Sequence, residues 1–428
     1  MKKTTEGIYA SHLDKQDPLA GFREKFVIAD PDLIYLDGNS LGRLPKDSVS
    51  HLKDLIEEQW GMGLIEGWNK SWFEMPTRLG SRIAQLIGAR DDEVVVCDST
   101  SVNLFKLASA ALKYKSERKL LVSDEFNFPT DLYVFQGVID LLNQGHKLDL
   151  IRSEDSISIP EENIKKAITD DTALVALTQV AFKSAYMYDI QHVTDLAHQK
   201  GALVMWDLSH SAGAVPLELN EWDVDLAVGC TYKYLNGGPG SPAFLFVRKD
   251  LQKDLISPIW GWFADKAPFA FNLDFTPADN ISRFQISTPH ILSMAGIEPA
   301  LGILLEAGMD RLREKSVEQT DYLIYLAQEF LVPLGFEVGS PLNSSQRGSH
   351  VSLRHPEAYR ICRALIDPLP GDTNLKVIPD FRAPNNIRLG IAPLYTSFAD
   401  IHRALKRLGV IVKDGIYQEY SKDQLKVT

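Results

Sequence analysis

The sequence predicts an α/β protein with a large domain on a mainly parallel, seven-stranded sheet and a smaller α+β carboxyl-terminal domain. Seven short apolar runs, at 93–98, 119–122, 148–151, 173–180, 202–206, 226–229 and 243–247, are separated mostly by helix-length segments. Continuously apolar strands of this kind are buried on both faces, as in a parallel sheet covered by helices. A chain of 428 residues also exceeds one ordinary hydrophobic core, and beyond residue 291 the order of elements changes to a shorter α+β pattern.

Taken in order, residues 1–33 are polar and interrupted by proline, an arm with a short helix. In Tyr35-Leu36-Asp37-Gly38-Asn39-Ser40-Leu41-Gly42 the two glycines predict a turn with positive φ, and Ser40 gains interest if that turn faces a pocket. Residues 49–86 read as helical; Trp60 and Trp72 are expected in a core or interface, while Trp68, at a Gly-Trp-Asn break, suits a pocket wall. The first strand (EVVVCD) leads into Ser99-Thr100-Ser101 and a helix over 102–114. Thr100 and Ser101 can bind phosphate at a helix N-terminus or simply cap it, and on local residues the cap is the more economical. The loop 126–131 offers Phe128 for stacking and Asp131 for hydrogen bonding, with Pro129 fixing its shape. Helices follow up to 144, at 160–167 and at 190–200.

Between 258 and 289 the periodicity lapses into an aromatic-rich stretch containing Trp260, Trp262, Phe269, Phe271 and Phe275, and burial against a second subunit would account for it. A long helical segment runs from 291 towards 331. Strands are expected at 349–354, 377–381 and 387–391, with helices at 357–366 and 398–408. Arg388, on the last strand, is either a surface residue or a fork for a carboxylate. The domains are expected to be an arm and turn (1–50) packing with the small domain, a large domain (51–290) and a small domain (291–428).

The organising stretch is 206–240, WDLSHSAGAVPLELNEWDVDLAVGCTYKYLNGGPG. One apolar run ends in Asp207, and the next leads through Thr231 and Tyr232 to Lys233. Open α/β sheets hold ligands at such carboxyl ends. A lysine amine and a carboxylate suit pyridoxal phosphate, which needs the first for a Schiff base and the second to keep its pyridine nitrogen protonated. Alone, Asp207 would pass as a helix cap and Lys233 as a solvated loop residue.

Composition narrows the classes. Hydrophobic residues at 45% and charged residues at 24% describe a soluble globular protein, and a net charge of −12 without a basic stripe argues against nucleic acid. No apolar run approaches the roughly 20 residues of a membrane span, and no secretory leader is expected after Lys2 and Lys3. Cys97, Cys230 and Cys362 are widely spaced, which predicts free thiols in the cytoplasm and no metal site.

With these residues laid out, the chain resembles the kynureninase family, pyridoxal-phosphate enzymes of the aspartate-aminotransferase fold (fold type I) that act in tryptophan catabolism. YLDGNSLG, STSVNL, FPTD, WDLSHSAG, CTYKYLNGGPG, GWF, FQISTP and IRLGIAPLYTSF occur in family order from Tyr35 to Phe398. The resemblance implies hydrolysis of the Cβ–Cγ bond of L-kynurenine, with 3-hydroxykynurenine as a related substrate, by a homodimer whose active site lies at the subunit interface. It implies Lys233, Asp207 and Tyr232 as catalytic residues, Lys233 holding the cofactor and Asp207 its ring nitrogen. His210 would support Asp207. Thr100, Ser101 and Tyr232 would take the phosphate, Phe128 the ring face, and Asp131 and Thr178 its edge, while Trp262 and Thr288 would reach the phosphate end across the dimer. Arg388 would bind the substrate carboxylate, and Ser40 and Trp68 would meet its aryl part. Two departures bear on ring recognition: Ala264-Asp265 stand where relatives often have Gly-His, and Thr288 replaces the asparagine of animal relatives.

Two other functions compete. A cysteine desulfurase or aminotransferase on the same scaffold is one; a desulfurase needs a mobile thiol, and Cys362 lies in a helical pattern. A non-catalytic binding protein of the same fold is the other, but both Lys233 and Asp207 are retained.

Overall fold

The computed structural model describes residues 3–423. Its centre is a seven-stranded sheet in the order Val94–Val96, Phe244–Val247, Leu226–Gly229, Leu203–Asp207, Thr172–Thr178, Leu120–Asp124, Lys147–Ile151. Pairing is parallel except around Phe244–Val247, which is antiparallel to both neighbours. The other six strands therefore bring their carboxyl ends to one edge.

Side-chain alternation divides the core in two. On one face Val95, Leu121, Leu174, Met205, Leu226 and Leu245 meet helices Thr100–Tyr114 and Pro129–Leu142. On the other, Val94, Val122, Val175, Val204 and Phe246 meet helices Met75–Ile87 and Ile190–Gln199. Burying each such side chain contributes about 1.5–3 kcal/mol, which is why both faces read as apolar runs.

The carboxyl-terminal part forms a four-stranded antiparallel sheet, Asp380–Arg382, Asn386–Gly390, His350–Arg354, Glu337–Val338, covered by helices Ala358–Ile366, Phe398–Lys413 and the end of Met309–Phe330. The amino-terminal helix Gly7–Gln16 packs there through Ala10, and Leu33–Tyr35 pairs in parallel with Lys376–Ile378. Helix Ile297–Ala307 instead joins the large-sheet core through Leu301 and Leu304.

Several expectations need correction. The expected strand 377–381 is two strands in two sheets, Lys376–Ile378 and Asp380–Arg382, because Pro379 between them has no N–H for a ladder. The segment from 291 is three helices, Ile291–Ala295, Ile297–Ala307 and Met309–Phe330, and Gly308, at φ 80°, separates the last two. Residues 55–72 include two stretches of wide helical turn, Leu55–Met62 and Trp68–Trp72. Trp72 is buried, whereas Trp60 is 54% exposed. Cys97 and Cys230 sit just past their strands; with Cys362 they are free and buried. Among the described residues no single helix is long and apolar enough to cross a membrane, and no group of three or more His, Cys, Asp or Glu is placed to hold a metal ion.

Candidate active site

A cavity of about 310 Å³ opens at the carboxyl edge of the large sheet. It is lined by loops following five of the six like-directed strands, together with the 38–42 turn and the small-domain strands. Asp207 ends its strand, in register with Thr178 and Val228, and Oδ1 accepts the Ser209 N–H at 2.9 Å. Burial raises its pKa, opposed mainly by the Lys233 cation. Lys233 follows the neighbouring strand on a loop tied by Gly237 N–H to Thr231 O (2.9 Å) and Asn236 N–H to Lys233 O (3.0 Å).

Two helix N-termini converge on the same space. Ser99, not Thr100 or Ser101, is the N-cap of helix Thr100–Tyr114, its Oγ accepting the Val102 N–H at 3.4 Å. Thr100 and Ser101 thus start the helix with N–H groups that have no intrahelical acceptor, facing the cavity where an anion is favoured. Pro129–Leu142 places Asp131 in its first turn, and Phe128 just before it packs edge-on against Phe182 at 5.4 Å.

Asp131 Oδ2 and His210 Nε2 are buried without a hydrogen-bond partner. Burial, then the Asp207 charge, pushes Asp131 well above the carboxylate range; burial, then Lys233, pushes His210 well down, so its ring is neutral. Burial also raises the Tyr232 phenol. A ligand offering a phosphate to the helix ends, a protonated ring nitrogen to Asp207 and an aldehyde to Lys233 fits this donor and acceptor set, and pyridoxal phosphate has all three.

At the far side Arg388 is 1% exposed, with Nη2 donating to Ser40 Oγ and Nη1 to Phe182 O, each at 2.7 Å. Ser40 therefore has a partner the sequence did not indicate. Gly38 and Gly42 are absent from the positive-φ residues; they are needed for close approach instead. A Cβ on Gly42 would fall 2.4 Å from Lys233 O, and one on Gly38 2.4 Å from the Tyr395 hydroxyl.

Ser40, Thr100, Ser101, Phe128, Asp131, Asp207, His210, Tyr232, Lys233 and Arg388 thus share one cavity. Thr178 lies beside it, buried, with Oγ1 directed to Val180 O. Trp68 packs on Trp72 and Phe263, Trp262 is 39% exposed in the same aromatic cluster, and Thr288 is exposed; none lines this chain's cavity. Thr130, Phe182, Ser209 and Arg382 line it unforeseen. Thr130 lay within the quoted FPTD motif, and Arg382 stands two residues from a predicted strand's Asp380; Phe182 carried no signal. Asp265 accepts the N–H groups of Ala267 and Thr276 at 2.8 Å each and so closes its own loop. A larger cleft of about 800 Å³ runs past Asp225, but that carboxylate is already held by Arg248 (3.0 Å) and His198 (2.9 Å).

Comparison with known proteins bears on the fold and the family. A family model for the class-V aminotransferases matches residues 34–352, and one for the kynureninase C-terminal domain matches residues 312–408. A kynureninase of Pseudomonas fluorescens is 44% identical over 405 residues, 94% of each chain, and one of Burkholderia mallei is 43% identical over 411 residues, 95% of each. Among solved structures, the apo cysteine desulfurase of Thermococcus onnurineus superposes with a TM-score of 0.76 at 19% identity, over 94% of this chain and 98% of that one. A C-DES variant with glycine covalently linked to its pyridoxal-phosphate cofactor gives 0.74 at 14% identity, over 92% and 98%. Identities this low speak for the fold, fold type I, whereas the near end-to-end bacterial matches reach further: the chain belongs to the kynureninase family.

Proposed function

We propose that this protein is a pyridoxal-phosphate-dependent hydrolase that cleaves the Cβ–Cγ bond of L-kynurenine to anthranilate and L-alanine, and treats 3-hydroxy-L-kynurenine in the same way. The observation that carries it is the meeting of Lys233, Asp207 and Arg388 in one cavity of a chain 44% identical to a kynureninase. Thr100, Ser101 and Tyr232 would hold the phosphate, Asp207 and His210 the ring nitrogen side, Phe128 the ring face, and Asp131 and Thr178 its edge. Bound there, pyridoxal phosphate supplies an electron sink next to the substrate's Cα.

The chain's own groups move the protons. With pyridoxal phosphate bound, Lys233 would be the base that takes the Cα proton, and Asp207 would keep the ring nitrogen charged. Arg388 holds the α-carboxylate. Tyr232, its phenol kept protonated by burial, donates to the γ-carbonyl oxygen as water adds at Cγ. The Cβ–Cγ bond then breaks: the aryl fragment leaves as anthranilate, and Cβ keeps the electron pair and takes a proton, becoming the methyl group of alanine. Such acid–base help contributes about 10²–10⁴ in rate.

A cytoplasmic homodimer is part of the proposal. Trp260, Phe269 and Phe271 are 64%, 57% and 74% exposed and Leu273 is fully exposed, a large apolar surface for one chain. Trp262 and Thr288 stand outside their own cavity, as residues serving a partner's site would. A desulfurase activity is disfavoured because Cys362 is fully buried in a helix of the small-domain core.

The test is direct. Protein reconstituted with pyridoxal phosphate should turn L-kynurenine into fluorescent anthranilate, and Lys233→Ala should remove both this activity and the lysine-dependent absorption band. Reconstituted wild-type protein that releases no anthranilate would overturn the proposal.

A further inference from the structure

The end of the cavity around Arg388 holds more charge than one arginine. Strand Asp380–Arg382 runs antiparallel to Asn386–Gly390, with Asp380 opposite Arg388. Alternation puts Asp380, Arg382 and Arg388 on the cavity side, while Phe381, Ile387 and Leu389 pack into the small-domain core. Both arginines line the cavity. Between them lies one carboxylate: Asp380 Oδ2 is 2.5 Å from Arg388 Nη2 and 2.8 Å from Arg382 Nε. Asp380 is 8% exposed, so water screens these pairs little. A second carboxylate, Asp37, stands 3.9 Å from Arg388 Nη2. The arginine expected to receive the substrate's anion is thus already occupied by one of the chain's own.

We propose that Asp380 competes with the substrate α-carboxylate for Arg388, and that Arg382 is the positioning residue that takes over Asp380 when substrate binds. This rests on the substrate assigned above. The exchange makes and breaks no covalent bond: the Asp380–Arg388 pair is replaced by substrate–Arg388, and Asp380 stays compensated by Arg382. Without Arg382 the exchange would strand a buried carboxylate, which is strongly unfavourable. Burial and Asp380 together push Asp37 up to about 6, so further negative charge in this corner favours its neutral form. Asp380 thereby makes the site selective for ligands whose anion can displace it and sets their affinity below what Arg388 alone would give.

The experiment uses the reconstituted holoenzyme with Asp380→Asn, Arg382→Gln and both together. Steady-state kinetics with L-kynurenine are measured beside absorbance titrations with L-alanine and with ethylamine, which has the amine but no carboxylate. Asp380→Asn should lower KM and tighten L-alanine by about tenfold, and Arg382→Gln should weaken both by about tenfold or more, with kcat moving less than about threefold in each. The double variant should return to within about threefold of Asp380→Asn, since no carboxylate is left to strand. Ethylamine binding should not change. Additive effects, equal effects on ethylamine, or an Asp380→Asn that weakens L-alanine would overturn the proposal. Should Asp380→Asn not fold, Arg382→Lys decides it: a charge-preserving change has to recover most of the KM lost in Arg382→Gln, and failure to do so refutes the exchange. A wild-type enzyme inactive on L-kynurenine would sink the assigned reaction instead, while the L-alanine titrations would still judge the exchange.

Discussion

Replacing Gly42 with alanine probes how the 38–42 turn and the lysine loop fit together. Gly42 N–H donates to Tyr232 O at 2.8 Å, and a Cβ there would lie 2.3 Å from Asn236 Oδ1 and 2.4 Å from Lys233 O. Ordinary contact begins at 3.4 Å, so turn and loop must separate by about 1 Å. Overpacking of this kind costs about 1–3 kcal/mol and the stretched hydrogen bond about 1 kcal/mol more, for a loss of about 2–4 kcal/mol. The effect reaches both ends of the cavity, because the loop carries Lys233 and the turn carries Ser40, which holds Arg388 at 2.7 Å. Misplacing reacting groups by about 1 Å lowers rate on the order of 10²-fold. Urea unfolding should therefore show the stability loss, and anthranilate release a fall in kcat/KM of about 10²-fold. A Gly42→Ala enzyme with wild-type stability and kcat/KM within about twofold would refute the close approach.

Asp37, raised from 3.8 to about 6 in the fold, binds its proton more tightly folded than unfolded, so its contribution to stability is present at low pH and lost as pH rises through about 6. Relative to Asp37→Asn, the wild type should lose up to about 3 kcal/mol of unfolding free energy between about pH 4 and pH 7; a difference flat across that window in urea titrations contradicts the shift. Cys362→Ala should keep anthranilate release within about twofold at a stability cost of about 1 kcal/mol, and neither protein should make sulfide from L-cysteine; sulfide production lost in the variant would restore the desulfurase alternative. Phe271→Glu combined with Leu273→Glu should shift the mass in light scattering from dimer to monomer and lower activity with it; a charged double variant that stays dimeric places the interface elsewhere.

The large sheet was readable because its central strands are buried on both faces, as at Thr172–Thr178, Leu203–Asp207, Leu226–Gly229 and Phe244–Val247, while the edge strand Lys147–Ile151 alternates with solvent; the strand ends marked the ligand edge. Asp207, Lys233 and Phe128–Asp131 stand at that edge, which made them candidates; their roles came only with the family motifs around them. The contact between Arg388 and Ser40, both singled out from the sequence, needed the fold, since they are 348 residues apart and meet only when the small domain's strand and the arm's turn come together. Register was the main thing hidden. That Asp380 faces Arg388 depends on where the chain turns between the two strands, and the break at Pro379 that frees Asp380 for this pairing was visible as a proline but read as strand interior. The sequence reading favoured Thr100 or Ser101 as the cap of helix Thr100–Tyr114; Asp98, at φ 53°, turns the chain so that Ser99 caps instead, and Thr100 and Ser101 line the cavity.

Lys233 lies on a loop, and a loop amine is useful only if it is held in place. Thr231, two residues earlier, is fully buried, and its hydroxyl lies 2.6 Å from both Ser241 Oγ and Pro242 O, which pins the base of the loop to the chain beyond the glycine turn. Tyr234, one residue later, donates to Ser349 O at 3.1 Å on the small domain, and Tyr232 O receives Gly42 N–H from the arm. Each residue flanking Lys233 is therefore tied to a different part of the molecule. The position of the amine thus depends on contacts from the arm, the large sheet and the carboxyl-terminal sheet, and on the proposed chemistry the cofactor anchor and the substrate corner at Ser40 and Arg388 rest on the same set of contacts. The contacts that hold this one side chain still are drawn from Gly42 near one end of the chain to Ser349 near the other, so no short segment around Lys233 carries them all.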